Sequence, residues 1–144
     1  MSDLNPKDAV GSQKASIHVV PIPVMLEVGL ALMEGACKYG SHNYRVIDIR
    51  ASVYMDALMR HMAAWWEGED IDADSGLNHV TKAIATLIIL RDAMMNEHVT
   101  DDRPPRSNPG WLQRLNGLAQ GIIERHPQAK EPFTQKNLPE RMKK

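Results

Sequence analysis

Residues 77–90 read LNHVTKAIATLIIL, and this stretch decides the fold. Its apolar residues recur at the spacing of one helix face: Leu77, Val80, Ile84, Leu87 and Ile88. The pattern predicts a helix from Leu77 to about Asn96. Because Ala83 to Leu90 is almost continuously apolar, this helix belongs at the centre of a bundle or in an interface between subunits.

Two further helical patterns precede this stretch. One runs from Val24 to about Tyr39 and stops at Gly40, and the other runs from about Ala51 to Trp66. No repeat or convincing strand pattern accompanies them. The sequence therefore predicts an all-α fold, and three main helices are few enough that we expect a second subunit to complete the bundle.

The chain divides by composition into three parts. Residues 1–23 contain closely spaced prolines, which predict an extended N-terminal arm. Residues 24–100 hold the three helical patterns and form the expected helical bundle. Residues 101–144 hold six of the nine prolines, so we expect a Pro-rich linker, a short helix from Trp111 to about Arg125 and a loose basic tail.

The charge balance excludes one broad class of function. The 144 residues carry 17 Lys and Arg against 18 Asp and Glu, a net charge of −1, so charge alone does not hold this protein on nucleic acid or membranes. No apolar run approaches the ~20 residues of a membrane span. With a single cysteine, Cys37, and a polar N-terminus, we expect a cytoplasmic protein without stable nucleic-acid binding.

An acidic segment, EGEDIDADSG at residues 67–76, separates the second and third helical patterns. Its carboxylates repel one another unless a cation compensates them, and Mg²⁺ or Mn²⁺ takes such oxygen ligands. Two E-x-x-D pairs could hold an ion on a helical turn: Glu67 with Asp70, and Glu69 with Asp72. Alternatively, the segment is a solvated loop in which Asp74 or Ser75 caps the next helix.

Two charged residues in the predicted helices have alternative roles. Glu34 lies one turn before the end of its helix, where the helix dipole disfavours negative charge, so it is a candidate metal ligand. A pair with Lys38, four residues later, explains it equally well. Arg60 is a candidate phosphate ligand, but it can also pair with Asp56.

Two histidines lie near the acidic segment in the sequence, His61 before it and His79 after it. A single helical histidine is commonly structural, whereas two of them near carboxylates can orient a water or donate to phosphate. Common nucleotide and zinc motifs are missing from the sequence: it has no G-x-x-x-x-G-K-[ST], G-x-G-x-x-G, H-E-x-x-H or paired cysteines.

Taken together, several short strings resemble a known family. They are Asn5-Pro6-Lys7-Asp8 with Gly11 and Lys14, Gly35-Ala36-Cys37-Lys38-Tyr39-Gly40 with Asn43-Tyr44-Arg45, Asp56-Ala57 with Arg60-His61, and Gly68-Glu69 with Asp72, Ser75-Gly76 and His79. Over residues 5–95 the chain resembles the phage dATP/dGTP diphosphohydrolases, which are related to the all-α nucleotide pyrophosphatases of the MazG type. One branch, MazZ, serves phages that replace adenine with 2-aminoadenine.

The resemblance implies a MazG-like helical bundle that assembles as a homodimer or homotetramer. It also implies hydrolysis of a purine deoxynucleoside triphosphate, chiefly dGTP, to the monophosphate and pyrophosphate with Mg²⁺, Mn²⁺ or Co²⁺. MazG-type enzymes carry E-E-x-x-E followed by E-x-x-D. Here Gly35 follows Glu34 and Lys38 replaces the third glutamate, whereas Glu69 and Asp72 fit the family's G-E-x-x-D string.

The resemblance assigns roles to three groups of residues. The metal ligands would be Glu34, Glu69 and Asp72, and the spacing alone leaves Glu67 and Asp70 open as the other pair. Catalysis would use Glu69, His61 and His79. The substrate would be bound by Lys14, Lys38, Tyr39, Asn43, Tyr44, Arg45 and Arg60, with Asn43 and Tyr44 nearest the base.

Two rival interpretations remain open. In the first, the chain is a non-enzymatic helical phage accessory protein that binds a partner. In the second, it is an enzyme of the same kind that cuts a different phosphoanhydride bond.

Overall fold

The structure is a computed structural model that describes residues 5–143. Within them lie five α-helices: α1 (Pro6–Gly11), α2 (Ile22–Tyr39), α3 (Ala51–Trp66), α4 (His79–Met95) and α5 (Trp111–Arg125). Two short strands, β1 (Ile49–Arg50) and β2 (Val99–Thr100), and two 3₁₀ turns, Asn43–Arg45 and Glu140–Met142, complete the described elements. The prediction of an all-α fold is confirmed.

The N-terminal segment departs from the extended arm predicted for it. Pro6 to Gly11 is helical, because Pro6 occupies the first helical position and the Asn5 side chain accepts a hydrogen bond from the Lys7 amide at 3.0 Å. Asn-Pro is therefore a helix start here. Residues 1–4 of the predicted arm lie outside the described residues.

The start of α4 also differs from the prediction. Asn78 is its N-cap, with Oδ1 accepting from the Val80 amide at 2.8 Å, so neither Asp74 nor Ser75 caps this helix. Both residues lie in the preceding turn, in which the Ser75 hydroxyl donates to Asp72. The cap brings His79 to the first turn of α4, where it is buried.

The two strands were missed in the sequence. Ile49 pairs with Val99 and Arg50 with Thr100 in a parallel ladder. Two residues are too few to show an alternating pattern, so only the fold reveals them. The ladder joins the entry to α3 to the chain that leaves α4, and Ile49 is buried there.

The first part of the chain is built around α4. This helix packs against both α3 and α2, as its nearly all-round apolar sequence predicts. The core contains Val28 and Ala31 of α2 with Ala85 of α4, and partly buried side chains surround it: Leu32, Leu77, Ile84 and Ile88. The buried residues are small, so the helices approach closely.

The described chain separates into two compact units. The first ends at Arg103 and contains α1 to α4, and the second begins at Pro104 and contains α5. On α5 the apolar side chains Trp111, Leu112, Leu115 and Leu118 are exposed. Among the described helices, none combines the length and apolar character needed to span a membrane.

Candidate functional site

A cavity of about 230 Å³ lies among α2, α3 and α4. Its ionisable lining consists of Glu34 and Lys38 from α2, His61 from α3 and Lys82 from α4. We call this the lysine cavity. The three helices that form the core therefore also place these four side chains in one site.

Glu34 holds the two lysines in place. Its Oε1 accepts from Lys38 Nζ at 2.6 Å, and its Oε2 accepts from Lys82 Nζ. Hydrogen bonds from Lys38 first and Lys82 second lower the pKa of Glu34. A pair with Lys38 was the predicted alternative to a metal-ligand role for Glu34, and the structure confirms this pair. Two ammonium groups and one carboxylate give the cluster a net charge of +1.

Lys82 is the site residue that the sequence analysis missed. Its side chain is only 18% exposed, although lysine is almost never buried without a partner. One signal was available, since Lys82 is the single charged residue within 77–90. Nothing in that spacing reveals that it meets Glu34, which lies 48 positions away.

Next to this cluster, His61 and His79 form a pair whose Nδ1 atoms are 2.9 Å apart. One of the two nitrogens must therefore carry a proton and the other must accept it. Burial, more than any neighbouring charge, lowers the pKa of His61. The structure thus brings together the two histidines singled out in the sequence.

The other ring nitrogen of His79 faces the acidic segment. His79 is only 5% exposed, and its Nε2 is buried without a hydrogen-bond partner. The nearest carboxylate is Glu69, whose Oε1 lies 3.4 Å away, close enough for an ion pair but without hydrogen-bond geometry. A buried nitrogen without a protein partner is rare in proteins and calls for an explanation, such as a bound water or ion.

The acidic segment forms a turn before α4. Ser75 Oγ donates to Asp72 Oδ2 at 2.6 Å, and this bond, first among several, lowers the pKa of Asp72. The Asp72 amide donates to the Leu77 carbonyl at 2.8 Å, and Ile71 pairs with Asn78. The helical spacing assumed for the two E-x-x-D pairs therefore does not occur.

The predicted metal ligands are not brought together within the single chain. Across residues 5–143, no three His, Cys, Asp or Glu side chains lie close enough to hold a metal ion. Both oxygens of Glu34 accept from lysines. The oxygens that suit a divalent ion are the carboxylates of the acidic segment, among which Glu69 lies 3.4 Å from His79 Nε2.

The remaining predicted phosphate ligands lie elsewhere. Arg45 donates to both carboxylate oxygens of Asp92, at 2.8 and 2.6 Å, and so ties the loop after α2 to α4. Arg60 is exposed, and the described ion pairs do not include one with Asp56. Lys14 is exposed just after α1. None of the three lines the lysine cavity.

A second cavity, of about 340 Å³, lies beside the loop that follows α2. The predicted substrate ligands Tyr39, Asn43 and Tyr44 line it, and so does Tyr54 of α3. We call this the tyrosine cavity. Burial, followed by the neighbouring tyrosines, raises the pKa of Tyr54, which the sequence analysis did not single out.

Fold and cavities together define an all-α protein with a site suited to an anionic ligand. The family model described as "dATP/dGTP diphosphohydrolase, N-terminal" matches residues 4–103, and the chain belongs to this family. That match contains both cavities and ends where the first unit ends.

One curated relative supports the assignment. It is a "dATP/dGTP diphosphohydrolase" of Salmonella phage PMBT28, 25% identical over 128 residues that cover 88% of this chain. The chain spans 41% of that relative's length. No solved structure matches the chain.

Proposed function

We propose that this chain hydrolyses a purine deoxynucleoside triphosphate, dGTP in preference to dATP, to the monophosphate and pyrophosphate. The observation that carries the proposal is the lysine cavity, in which Lys38 and Lys82 outnumber Glu34 and His61 lies beside them. The family match and the relative's name supply the substrate class.

The two lysines can hold a polyphosphate while they remain bound to Glu34. Each ammonium has three N–H donors and donates one hydrogen bond to Glu34, so two N–H groups of each remain for phosphate oxygens. Because Glu34 fixes both ammonium groups before the substrate arrives, little ordering is required on binding. Preorganised charge of this kind stabilises the negative charge that develops in phosphoryl transfer.

His61 is positioned to act as the general base. The Glu69 carboxylate near Nε2 of His79 favours a proton on that nitrogen, which leaves His79 Nδ1 as the acceptor. His61 then donates from its own Nδ1, and its Nε2 keeps a lone pair. We propose that this nitrogen takes the proton of a water that attacks the α-phosphorus, while the bond to the β-phosphate oxygen breaks and pyrophosphate leaves.

A divalent cation, Mg²⁺, Mn²⁺ or Co²⁺, belongs to the proposal. Glu69 would hold it, with Asp72, Glu67 or Asp70 as further oxygen ligands of the kind that hard divalent ions take. When bound, it would neutralise phosphate charge and acidify a bound water. In this proposal Glu34 does not bind the metal, as the sequence predicted it would, but holds Lys38 and Lys82 in place.

Assembly and setting are also proposed. Large apolar side chains of α2, such as Leu26, Leu30 and Met33, stay exposed, which supports a homodimer or homotetramer. In a phage that uses 2-aminoadenine, the dGMP formed in the host cytoplasm would feed synthesis of the modified nucleotide.

One assay tests the activity. The full chain is incubated with each dNTP and with Mg²⁺, Mn²⁺ or Co²⁺, and the products are separated by chromatography. We expect dGTP to give dGMP and pyrophosphate fastest and dATP to follow. Release of triphosphate or single phosphates would show that a different bond is cut. No turnover of any purine dNTP by folded protein would favour the non-enzymatic partner protein instead.

A further inference from the structure

The tyrosine cavity has the composition of a site for a flat aromatic ligand. The chain has three tyrosines, and all of them line this cavity: Tyr39, Tyr44 and Tyr54. They come from the end of α2, the loop after it and α3, so the fold gathers residues that are scattered in sequence. A volume of about 340 Å³ falls in the range of small-ligand pockets.

This cavity adjoins the lysine cavity. Four residues line both: Leu32, Gly35, Tyr39 and Ile89. Of the two linings, only that of the lysine cavity contains Glu34, Lys38 and Lys82, and only that of the tyrosine cavity contains Asn43, Tyr44 and Tyr54. Tyr39 lies in the shared wall. A ligand that is anionic at one end and aromatic at the other would therefore fill both cavities across a short apolar bridge.

We propose that the tyrosine cavity binds the purine base of the substrate, and that the sugar crosses Gly35 between the two cavities. The proposal rests on the proposed function, because the lysine cavity must hold the phosphates. Tyrosine faces stack on bases irrespective of sequence, whereas the Asn43 amide can both donate to and accept from a purine edge. Tyr54, half-buried on α3, becomes a binding residue that no sequence motif marks.

Substitution of Gly35 tests whether the sugar crosses between the two cavities at this residue. It lies inside α2 with ordinary helical backbone, and a Cβ placed on it would meet no atom within 4 Å. Gly35→Ala therefore fits the free protein and favours the helix. A methyl group at that position would nevertheless stand in the wall that the sugar crosses.

The experiment compares Gly35→Ala and Tyr54→Leu with a matched control, Gly117→Ala. Gly117 lies in α5 with equally open space around it, and it lines neither cavity. For each full-length variant, KM and kcat for dGTP are measured, together with the inhibition constant of inorganic pyrophosphate. Binding of deoxyguanosine, which has no phosphate, is measured separately by calorimetry.

We expect Gly35→Ala and Tyr54→Leu to raise the KM for dGTP about tenfold, equivalent to about 1.4 kcal/mol. The dissociation constant of deoxyguanosine should rise by the same factor. Pyrophosphate inhibition should stay within about twofold of wild type in both variants, because neither substitution alters Glu34, Lys38 or Lys82. Gly117→Ala should change none of these constants.

An unchanged KM in Gly35→Ala, or a pyrophosphate constant that rises as much as the KM, would overturn the proposal. Its failure can be separated from failure of the proposed function, because deoxyguanosine binding does not require turnover. If wild type hydrolyses no dNTP yet binds deoxyguanosine, and Tyr54→Leu loses that binding, the base site in the tyrosine cavity is supported and the proposed hydrolysis is refuted. If wild type does not bind deoxyguanosine, the base site is refuted.

Discussion

At the level of single residues, the position of Glu34 between Lys38 and Lys82 indicates what kind of ligand the site binds. A carboxylate with both oxygens accepting from ammonium groups is a poor metal ligand, because a cation would have to displace two existing partners. The same arrangement is a good phosphate site, since its net charge is positive and its donors are fixed in advance.

Lys82→Gln tests this arrangement directly. The substitution removes one ammonium but leaves a polar side chain of similar length, so we expect the KM for dGTP to rise about tenfold or more, because a charged hydrogen bond is worth about 1.5–3 kcal/mol. The free energy of unfolding should fall by about 1 kcal/mol, because the pair with Glu34 is only partly exposed. Steady-state kinetics and urea denaturation measure the two effects.

Lys136→Gln is the matched control, since Lys136 is an exposed lysine of the second unit. A KM in Lys82→Gln that stays equal to that of the control would show that the phosphates bind elsewhere.

Glu69→Gln tests the route from the acidic turn to His61. The amide keeps the size of the carboxylate but no longer favours a proton on His79 Nε2, so we expect kcat to fall about 100-fold, within the range for acid–base catalysis. The melting temperature should stay near that of wild type, because the Glu69 side chain is 57% exposed. Asp74→Asn, which changes an exposed carboxylate of the same segment that is not a proposed ligand, should retain nearly full activity. Wild-type turnover by Glu69→Gln would place the active carboxylate elsewhere.

At the level of elements, the cap of α4 sets the position of His79. Asn78 accepts from the Val80 amide and also pairs through its backbone with Ile71, so one residue fixes both the helix start and the turn. His79 then donates its amide to the Asp70 carbonyl at 2.9 Å. The histidine pair depends on this junction.

Asn78→Ala should therefore weaken both the fold and the site. Loss of the cap is expected to lower the free energy of unfolding by about 1 kcal/mol. Asn78→Ser, which can still cap, should recover most of that loss. Chemical denaturation of the three proteins measures it, and equal stability of the alanine and asparagine forms would show that the side-chain bond contributes nothing.

The helices were predictable from the sequence, whereas the contacts between them were not. Periodicity in apolar residues predicts α2, α3, α4 and α5, because each has a packed or amphipathic face. The ladder at Ile49 and Val99 is too short to leave a pattern, and α1 depends on one Asn-Pro cap.

The same division applies to the candidate site. His61, His79 and Glu69 were identified because they lie near one acidic segment. Lys82 and Tyr54 were not, because each acquires its role only from a helix that is distant in sequence.

At the level of the whole molecule, the site responds to pH through His61. Burial lowers the pKa of His61 below its ordinary value of 6.5, so the folded protein binds fewer protons there than the unfolded chain does. Stability should therefore decrease as the pH falls below about 6.5 and level off below the folded pKa. Activity should fall over the same range, because protonated His61 cannot act as a base.

Urea denaturation and kcat/KM for dGTP between pH 7.5 and 5 measure both effects. Carboxylates with lowered pKa, such as Glu34 and Asp72, contribute only at more acidic pH, below about 4.5. His61→Gln should remove the stability change between pH 6.5 and 5, and an unchanged profile in that variant would exclude His61 as its source.

The boundary between the two units predicts which part of the chain is needed for folding and activity. The family match and the first unit both end at 103, and Asp102 within that unit binds the start of α3. Its carboxylate accepts from the Ser52 amide at 2.8 Å and from the Ser52 hydroxyl at 2.5 Å. A chain that ends after Arg103 should keep this cap, both strands and both cavities.

We therefore expect the chain ending after Arg103 to unfold cooperatively and to hydrolyse dGTP, because every residue of the proposed site lies within it. A chain ending after Thr100 keeps β2 but loses Asp102, and it should be less stable, because the amide and hydroxyl of Ser52 lose their acceptor. Thermal unfolding and kinetics of the two truncated chains beside the full chain decide this. Equal stability of both truncated chains would show that Asp102 does not anchor α3, and loss of turnover after Arg103 would assign part of the site to the second unit.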